Sequence, residues 1–201
     1  MQANQWVGRW TAPKPDLYQE VQALFRAGRR ERFEGGPDSD FAQGLSRVVQ
    51  QHGDAVLPAL KIVLDEWVSY PGLVGEALRR LGQVNHAPSY ERRRFLLVYV
   101  LLSDASSLIK AEAALGVASL NDPWAIPYVE AAVRREPVDR IRRVMQAILD
   151  QLRAAQSGQR TARVSQRGDA PTGWGELMAV PSPQLARLPR LHPGLSGTGG
   201  L

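Results

Sequence analysis

Similar segments recur along this chain at intervals of about 34 residues, and this spacing limits the possible folds more than any other feature. The Leu-Gly pairs at 81–82 and 115–116 lie 34 residues apart, and Leu149 follows after another 34. The pairs Leu-Pro at 57–58 and Ile-Pro at 126–127 lie 69 residues apart, about twice that interval. A helix pair with its turns has about this length. The sequence therefore predicts a row of helix pairs that bury their apolar faces against one another.

The hydrophobic pattern predicts an all-α chain. Apolar residues recur every three or four positions from residue 16 to about residue 155, which is the period of an amphipathic helix. Breaks in this pattern give eight helices, or four antiparallel pairs. We expect Ser106 or Ser107 to cap one helix, and Asp122 with Pro123 to start the next. Residues 95–102 are apolar on every side, which favours a helix buried among others; a buried strand is the alternative.

The predicted fold class is thus a short α-solenoid of about four antiparallel helix pairs with a disordered C-terminal tail. Three regions are expected: an N-terminal segment at 1–15, a helical repeat domain at 16–155, and a tail at 156–201. The tail is rich in Gly, Pro, Ser and Arg without a sustained apolar period, so it is expected to lack a core. Trp6 and Trp10 are expected to cap the first helix pair or to anchor a partner.

The motif KAEAALG at 110–116, followed by NDPWAIP at 121–127, resembles bacterial HEAT repeats. In that family an alanine-rich second helix ends in Leu-Gly, an Asp-Pro turn starts the next pair, and the following helix often carries Ile-Pro or Leu-Pro. The resemblance covers residues 54–152 and implies a HEAT-like or armadillo-like helical stack. It also implies that the second helices line a concave surface. We expect the alanines at 111–118 to let helices approach closely, and Leu108 and Leu115 to fill the space between pairs.

No catalytic, cofactor-binding or metal-binding motif is recognisable in the sequence, so we expect a protein that is not an enzyme. The chain has no Cys, which excludes disulfides and thiolate metal sites. His52, His86 and His192 stand apart from one another, without the spacing of metal ligands. Catalysis by residues distant in sequence stays open. The N-terminus lacks a signal-peptide pattern and the longest apolar run is too short for a membrane span, which predicts a cytoplasmic protein without membrane partners.

Basic residues provide the candidate partner-binding positions. The formal net charge is +5, and five arginines follow residue 155. In the repeat domain the candidates lie on or near predicted second helices and in the densest arginine cluster; they are Arg79, Arg80, Lys110, Arg134, Arg135, Arg140, Arg142 and Arg143. They are interpreted in three ways: a self-compensated solvated face, a site for an acidic protein, or a site for a phosphate backbone.

A further group, Arg92, Arg93 and Arg94, opens the predicted buried helix. Either neighbouring acids such as Glu91 offset these charges, or the group faces a partner.

These observations favour a non-catalytic scaffold for protein–protein interaction, whose partner is another protein and whose charge suits an acidic one. The first alternative is nucleic-acid binding, because the HEAT-like fold has relatives among DNA glycosylases. The second, an enzymatic reading, follows only from the resemblance: some HEAT-like proteins attach bilin chromophores to cysteines of other proteins.

Overall fold

The computed structural model describes Trp10, residues 12–31, Phe33 and residues 39–168, with side chains as far as Gly158. This part of the chain contains eight α-helices and no β-strand. They are α1 Pro15–Gly28, α2 Asp40–His52, α3 Leu57–Glu66, α4 Pro71–Gln83, α5 Tyr90–Leu102, α6 Ser107–Leu120, α7 Ile126–Arg135 and α8 Asp139–Gly168. Short 3-10 turns at Gly53–Val56, Ala87–Ser89 and Pro123–Ala125 lead into α3, α5 and α7. The prediction of an all-helical chain is confirmed over these residues.

Local signals in the sequence explain several of the helix starts. The Ser106 hydroxyl accepts a hydrogen bond from the Ile109 amide, and Asp122 accepts one from the Trp124 amide. Each satisfies a backbone N–H that a helical turn leaves free at its beginning. Residues 95–102 lie inside α5, so the alternative of a buried strand is wrong.

Contacts between helices follow a regular order in the chain. α1 contacts α3, α2 contacts α4, α3 contacts α5, α4 contacts α6, and α5 contacts α7. The consecutive helices α1 and α2, α4 and α5, and α5 and α6 also touch. A single apolar core draws buried residues from all eight helices. Its largest fully buried apolar side chains are Phe25, Phe41, Leu45, Leu57, Leu60, Leu78, Leu81, Leu96, Leu97, Leu101 and Met145.

An extensive helix contact joins α4 and α6 at the two repeated Leu-Gly pairs. A β-carbon added to Gly82 would overlap the backbone of Gly116, and one added to Gly116 would lie 2.5 Å from the carbonyl oxygen of Leu78. Only glycine allows the two backbones to come so close. The 34-residue repeat of Leu-Gly thus brings two glycines together at one helix crossing.

The prediction that Leu108 and Leu115 fill the space between helix pairs is wrong, because they are 48% and 37% exposed. The buried residues of α6 are Ile109, Ala111, Ala113, Ala114, Gly116 and Val117. Leu108 and Leu115 are seven positions apart and therefore lie on one stripe of the helix, which faces away from the core. Ile109 and Val117 share the inner face with alanines and Gly116, and these small residues allow α6 to lie close to α4.

The predicted start of a disordered tail at residue 156 also differs from the structure, because α8 continues to Gly168. Its last core residue is Leu152, but no proline interrupts the sequence between Pro137 and Pro171. Once a helix is nucleated, each further residue adds a hydrogen bond at little cost. The remainder of the predicted tail, residues 169–201, lies outside the described residues, as do Trp6 and His192.

Residues 1–163 form one unit and residues 164–201 a second, and the contacts described here all lie within the first. In the part of the chain that is described, no helix combines the length and apolar character needed to cross a bilayer.

Candidate interaction surface

The two candidate arginines of α4 are neutralised within the fold. Arg79 forms ion pairs with Glu76 at 2.7 Å and with Glu112 of α6 at 3.1 Å. Arg80 lies 3.9 Å from the second oxygen of Glu76. Glu76 is itself buried, so its charge is compensated by these neighbours. Arg79 therefore stabilises the contact of α4 with α6, whereas the ion pair of Arg80 with Glu76 lies within α4.

Lys110 lies in a different environment from Arg79, although both are on predicted second helices. It lines a small pocket of about 190 Å³ together with Arg135 and Glu136. Arg79 binds Glu112, and positions 110 and 112 point in nearly opposite directions around a helix. Lys110 and Arg79 therefore do not share one face of the helices, whereas Lys110 and Arg135 are close.

The α7–α8 turn is fixed by a buried carboxylate. Glu136 is 3% exposed, and its Oε1 accepts hydrogen bonds from the Ser107 hydroxyl at 2.6 Å and from the Val138 amide at 3.0 Å. The hydroxyl belongs to the first residue of α6, so Glu136 ties the turn to a neighbouring helix. Arg142 donates to the Glu136 carbonyl oxygen at 3.0 Å and binds Asp139 through its guanidinium. Arg142 is thus also engaged within the fold.

Four other candidate arginines remain exposed around this turn: Arg134, Arg135, Arg140 and Arg143. None of the four forms an ion pair with any residue that the structure describes. The first two close α7, where cations complement the helix dipole, but the other two open α8, where a cation is unfavourable. Arg140 and Arg143 therefore do not stabilise α8, so the stability of this helix does not account for arginine at these two positions. We call these four residues the arginine surface.

The arginines at the start of α5 are satisfied internally, but not by Glu91. Arg92 Nε lies 3.5 Å from Asp54 Oδ2. Arg93 is 1% exposed and donates to the carbonyl oxygens of Leu81 at 2.5 Å and His86 at 3.2 Å, and to the Ser89 hydroxyl. Burial lowers the pKa of its guanidinium, and the nearby Tyr90 partly offsets this effect. Arg93 therefore carries a charge that backbone carbonyls solvate.

Arg94 joins α5 to the Asp-Pro turn through a carboxylate and aromatic rings. Its guanidinium binds Asp122 Oδ2 at 2.7 Å and lies 4.0 Å from the ring centre of Trp124. The Tyr90 hydroxyl donates to the same oxygen at 3.0 Å. Burial raises the pKa of Asp122, but hydrogen bonds from Arg94, the Trp124 amide and Tyr90 bring it below its usual value. Burial, with the bond to Asp122, raises the pKa of Tyr90 to about 12.

A pocket of about 500 Å³ opens beside α5, and the sequence did not predict it. Three aromatic side chains, Trp10, Phe95 and Tyr99, line it together with Pro88 and Ala87. Its charged lining residues are Asp54, Glu91 and Arg92. These residues come from three separate segments of the chain, so no local motif could have shown that they meet.

His52 contacts a neighbouring helix, and His86 contacts a residue of its own loop. His52 Nε2 lies 3.0 Å from Glu20 Oε2, and the His86 ring nitrogen lies 2.9 Å from the Ser89 hydroxyl. Within the described residues, no three His, Cys, Asp or Glu side chains cluster in a way that could hold a metal ion.

Comparisons with protein-family models, with curated proteins and with solved structures give no match to this chain. The resemblance to HEAT repeats therefore rests on the sequence motifs alone.

Proposed function

We propose that this chain is a HEAT-like helical scaffold that does no chemistry itself and binds an acidic protein at the arginine surface. The contact order of the helices supports the solenoid part of the proposal. In a stack of antiparallel pairs, each helix touches the helix two positions later in the chain, because that helix is its counterpart in the next pair. α1 to α5 all follow this rule. The glycine contact between α4 and α6 supports it as well, since both glycines stand at the same position of the repeat.

The observation that carries the binding proposal is the difference between paired and unpaired arginines. Arg79, Arg94 and Arg153 each reach a carboxylate at 3.1 Å or less. The arginine surface has no such carboxylate among the described residues. Its nearby buried acid, Glu136, accepts hydrogen bonds from Ser107 and Val138 at Oε1, while its Oε2 is buried without a donor and forms no ion pair with these arginines. Unpaired guanidinium groups grouped on a surface attract carboxylates and steer an acidic partner toward them.

An acidic protein fits this surface better than a nucleic acid. Duplex binding requires basic groups that follow two phosphate backbones, whereas the unpaired arginines here are confined to one turn and the adjoining ends of α7 and α8. Single strands are bound by aromatic rings placed between cations, but the rings of Trp124 and Tyr128 pack against one another at 4.6 Å. A guanidinium group can bind a carboxylate through two parallel hydrogen bonds. A short acidic segment of a partner protein is therefore enough to engage these arginines.

The test is affinity capture from nuclease-treated extract with the full-length chain, its Arg140→Glu/Arg143→Glu variant and an Arg47→Glu/Arg26→Glu control. The control changes charge by the same amount at two exposed positions, one on α2 and one on α1. We expect captured acidic proteins to be lost from the first variant and kept by the control. Once a captured protein has been purified, it should bind the Arg140→Glu/Arg143→Glu variant at least about tenfold more weakly than the unchanged chain. The reason is that like charges placed opposite each other cost several kcal/mol.

Binding of a 20-base-pair DNA duplex provides the opposing outcome. If fluorescence anisotropy shows tight duplex binding that falls steeply with salt and is lost in the double variant, the partner is a nucleic acid and the acidic-protein proposal is wrong. Equal capture by the variant and the control would remove the arginine surface from the binding site.

A further inference from the structure

The aromatic pocket beside α5 has the composition of a site for an organic cation. Three rings, from Trp10, Phe95 and Tyr99, border a volume of about 500 Å³, within the usual range of ligand pockets. Two carboxylates, Asp54 and Glu91, line the same volume. Aromatic faces and carboxylates both attract positive charge, and cages that combine them bind cationic groups.

The two carboxylates of this pocket are only partly engaged in ion pairs and hydrogen bonds with other described residues. Glu91 is exposed and forms no ion pair within the described part of the chain. Asp54 lies 3.5 Å from Arg92 Nε, and its other oxygen is buried without a hydrogen-bond donor. Arg92 therefore offsets one of the two negative charges only. A ligand that brings one positive charge and several N–H donors would complete the balance.

Neighbouring side chains already use aromatic rings to bind cations. Lys61 Nζ lies 4.6 Å from the ring centre of Tyr99, and Arg94 lies 4.0 Å from that of Trp124. Phe95, which lines the pocket, packs edge-on against the same Trp124 at 5.2 Å. Two rings beside α5 thus already lie against an ammonium group and a guanidinium group of the chain itself.

We propose that this pocket binds an arginine side chain of a partner polypeptide, with the guanidinium between the aromatic rings and the Glu91 carboxylate. A planar guanidinium stacks on a ring while it donates two hydrogen bonds to a carboxylate, which a lysine ammonium does not do. This site is separate from the arginine surface and selects the opposite charge, so it stands whether or not an acidic protein binds there.

The probe is acetyl-Gly-Arg-Gly-amide, compared with the same peptide carrying citrulline, a neutral isostere of arginine. The readout is the indole N–H resonance of Trp10 in the full-length protein, identified by its loss in Trp10→Phe. We expect the arginine peptide to shift this resonance in a saturable manner, and the citrulline peptide to bind at least about threefold more weakly, because a cation–π contact at an exposed site accounts for a factor of this size.

Two variants and a matched control complete the experiment. Glu91→Gln changes an exposed side chain, and Tyr99→Leu removes a ring; each should weaken arginine-peptide binding by about two- to fivefold. Asp150→Asn, an exposed acid on α8, should leave binding unchanged. Circular dichroism checks that each variant is folded. Equal affinity for arginine and citrulline, or unchanged affinity in Glu91→Gln, would overturn the proposal.

Discussion

Three glycines of α4 provide a graded test of the packing, because an added methyl group meets a different environment at each. At Gly72 it meets nothing within 4 Å. At Gly75 it lies 2.7 Å from Cγ of Glu112, a flexible side chain. At Gly82 it overlaps the carbonyl group and Cα of Gly116, which are backbone atoms. Substitution by alanine therefore isolates the cost of the close contact between helices.

The expected changes in unfolding free energy follow from two opposing effects. Alanine is favoured over glycine in a helix by about 1 kcal/mol, and at Gly72 this gain is unopposed, so we expect stabilisation of about 0.5–1 kcal/mol. At Gly82 the methyl group cannot avoid the backbone of Gly116, so α4 and α6 must separate. Overpacking of this kind costs about 1–3 kcal/mol or more, which exceeds the gain. The unfolding free energy of Gly75→Ala should lie between those of Gly72→Ala and Gly82→Ala.

Urea unfolding monitored by circular dichroism measures these differences. The gain in helix propensity is common to Gly72→Ala and Gly82→Ala, so their stabilities should differ by the overpacking cost of about 1–3 kcal/mol or more. With ordinary urea sensitivity, the two midpoints should then differ by about 0.5 M or more. Adding Glu112→Ala should reduce the loss of stability caused by Gly75→Ala, because the methyl group at position 75 meets the Glu112 side chain. It should not reduce the loss caused by Gly82→Ala, where the methyl group meets backbone atoms. A Gly82→Ala protein as stable as Gly72→Ala would refute the backbone contact.

Two further predictions concern the exposed leucines and the Tyr90 cluster. Leu115→Ala should lower the unfolding free energy by less than about 1 kcal/mol because the side chain is 37% exposed, whereas Leu97→Ala, which empties a fully buried site, should cost about 2–5 kcal/mol in the same urea assay. Equal losses would contradict the assigned faces of α5 and α6. In an ultraviolet titration of tyrosinate, a component with a pKa of about 12 should disappear in Tyr90→Phe and move to lower pH in Asp122→Asn. Tyr90 should lose its proton near pH 10 in the unfolded chain and near pH 12 in the folded one. Its contribution to the unfolding free energy should therefore be intact below pH 10 and should fall between pH 10 and pH 12. If Tyr90→Phe leaves the dependence of the unfolding free energy on pH unchanged, this prediction is wrong.

The sequence predicted helices well where local signals agree. The apolar run at residues 95–102 lies inside α5, as its pattern predicted. The assignment of faces was less successful in α6, where Leu108 and Leu115 were placed in the core because of their size. Alanine and glycine carry weak hydrophobic signals, yet they occupy the inner face where helix backbones approach. The inner face of a closely packed helix is thus hard to identify from hydrophobicity alone.

The candidate site was predicted only in part. The arginine surface belongs to the predicted set. Glu76 pairs with Arg79 and Arg80 at helical spacings within α4, but the ion pair of Arg79 with Glu112 involves a second helix and could not be foreseen. The pocket beside α5 joins Trp10, Asp54 and Tyr99, which are far apart in sequence. Arg93 binds backbone carbonyl oxygens, and because every residue has one, such partners leave no trace in the amino-acid pattern.

The buried guanidinium of Arg93 has a consequence for the connection between α4 and α5. Surface connections of this length usually tolerate insertions and deletions, but here two acceptors of Arg93, the His86 carbonyl and the Ser89 hydroxyl, lie within it. A change in its length would remove those acceptors while the charge stays in the core, where an unsolvated cation costs several kcal/mol. We therefore expect insertions or deletions in this loop to destabilise the protein for as long as an arginine occupies position 93.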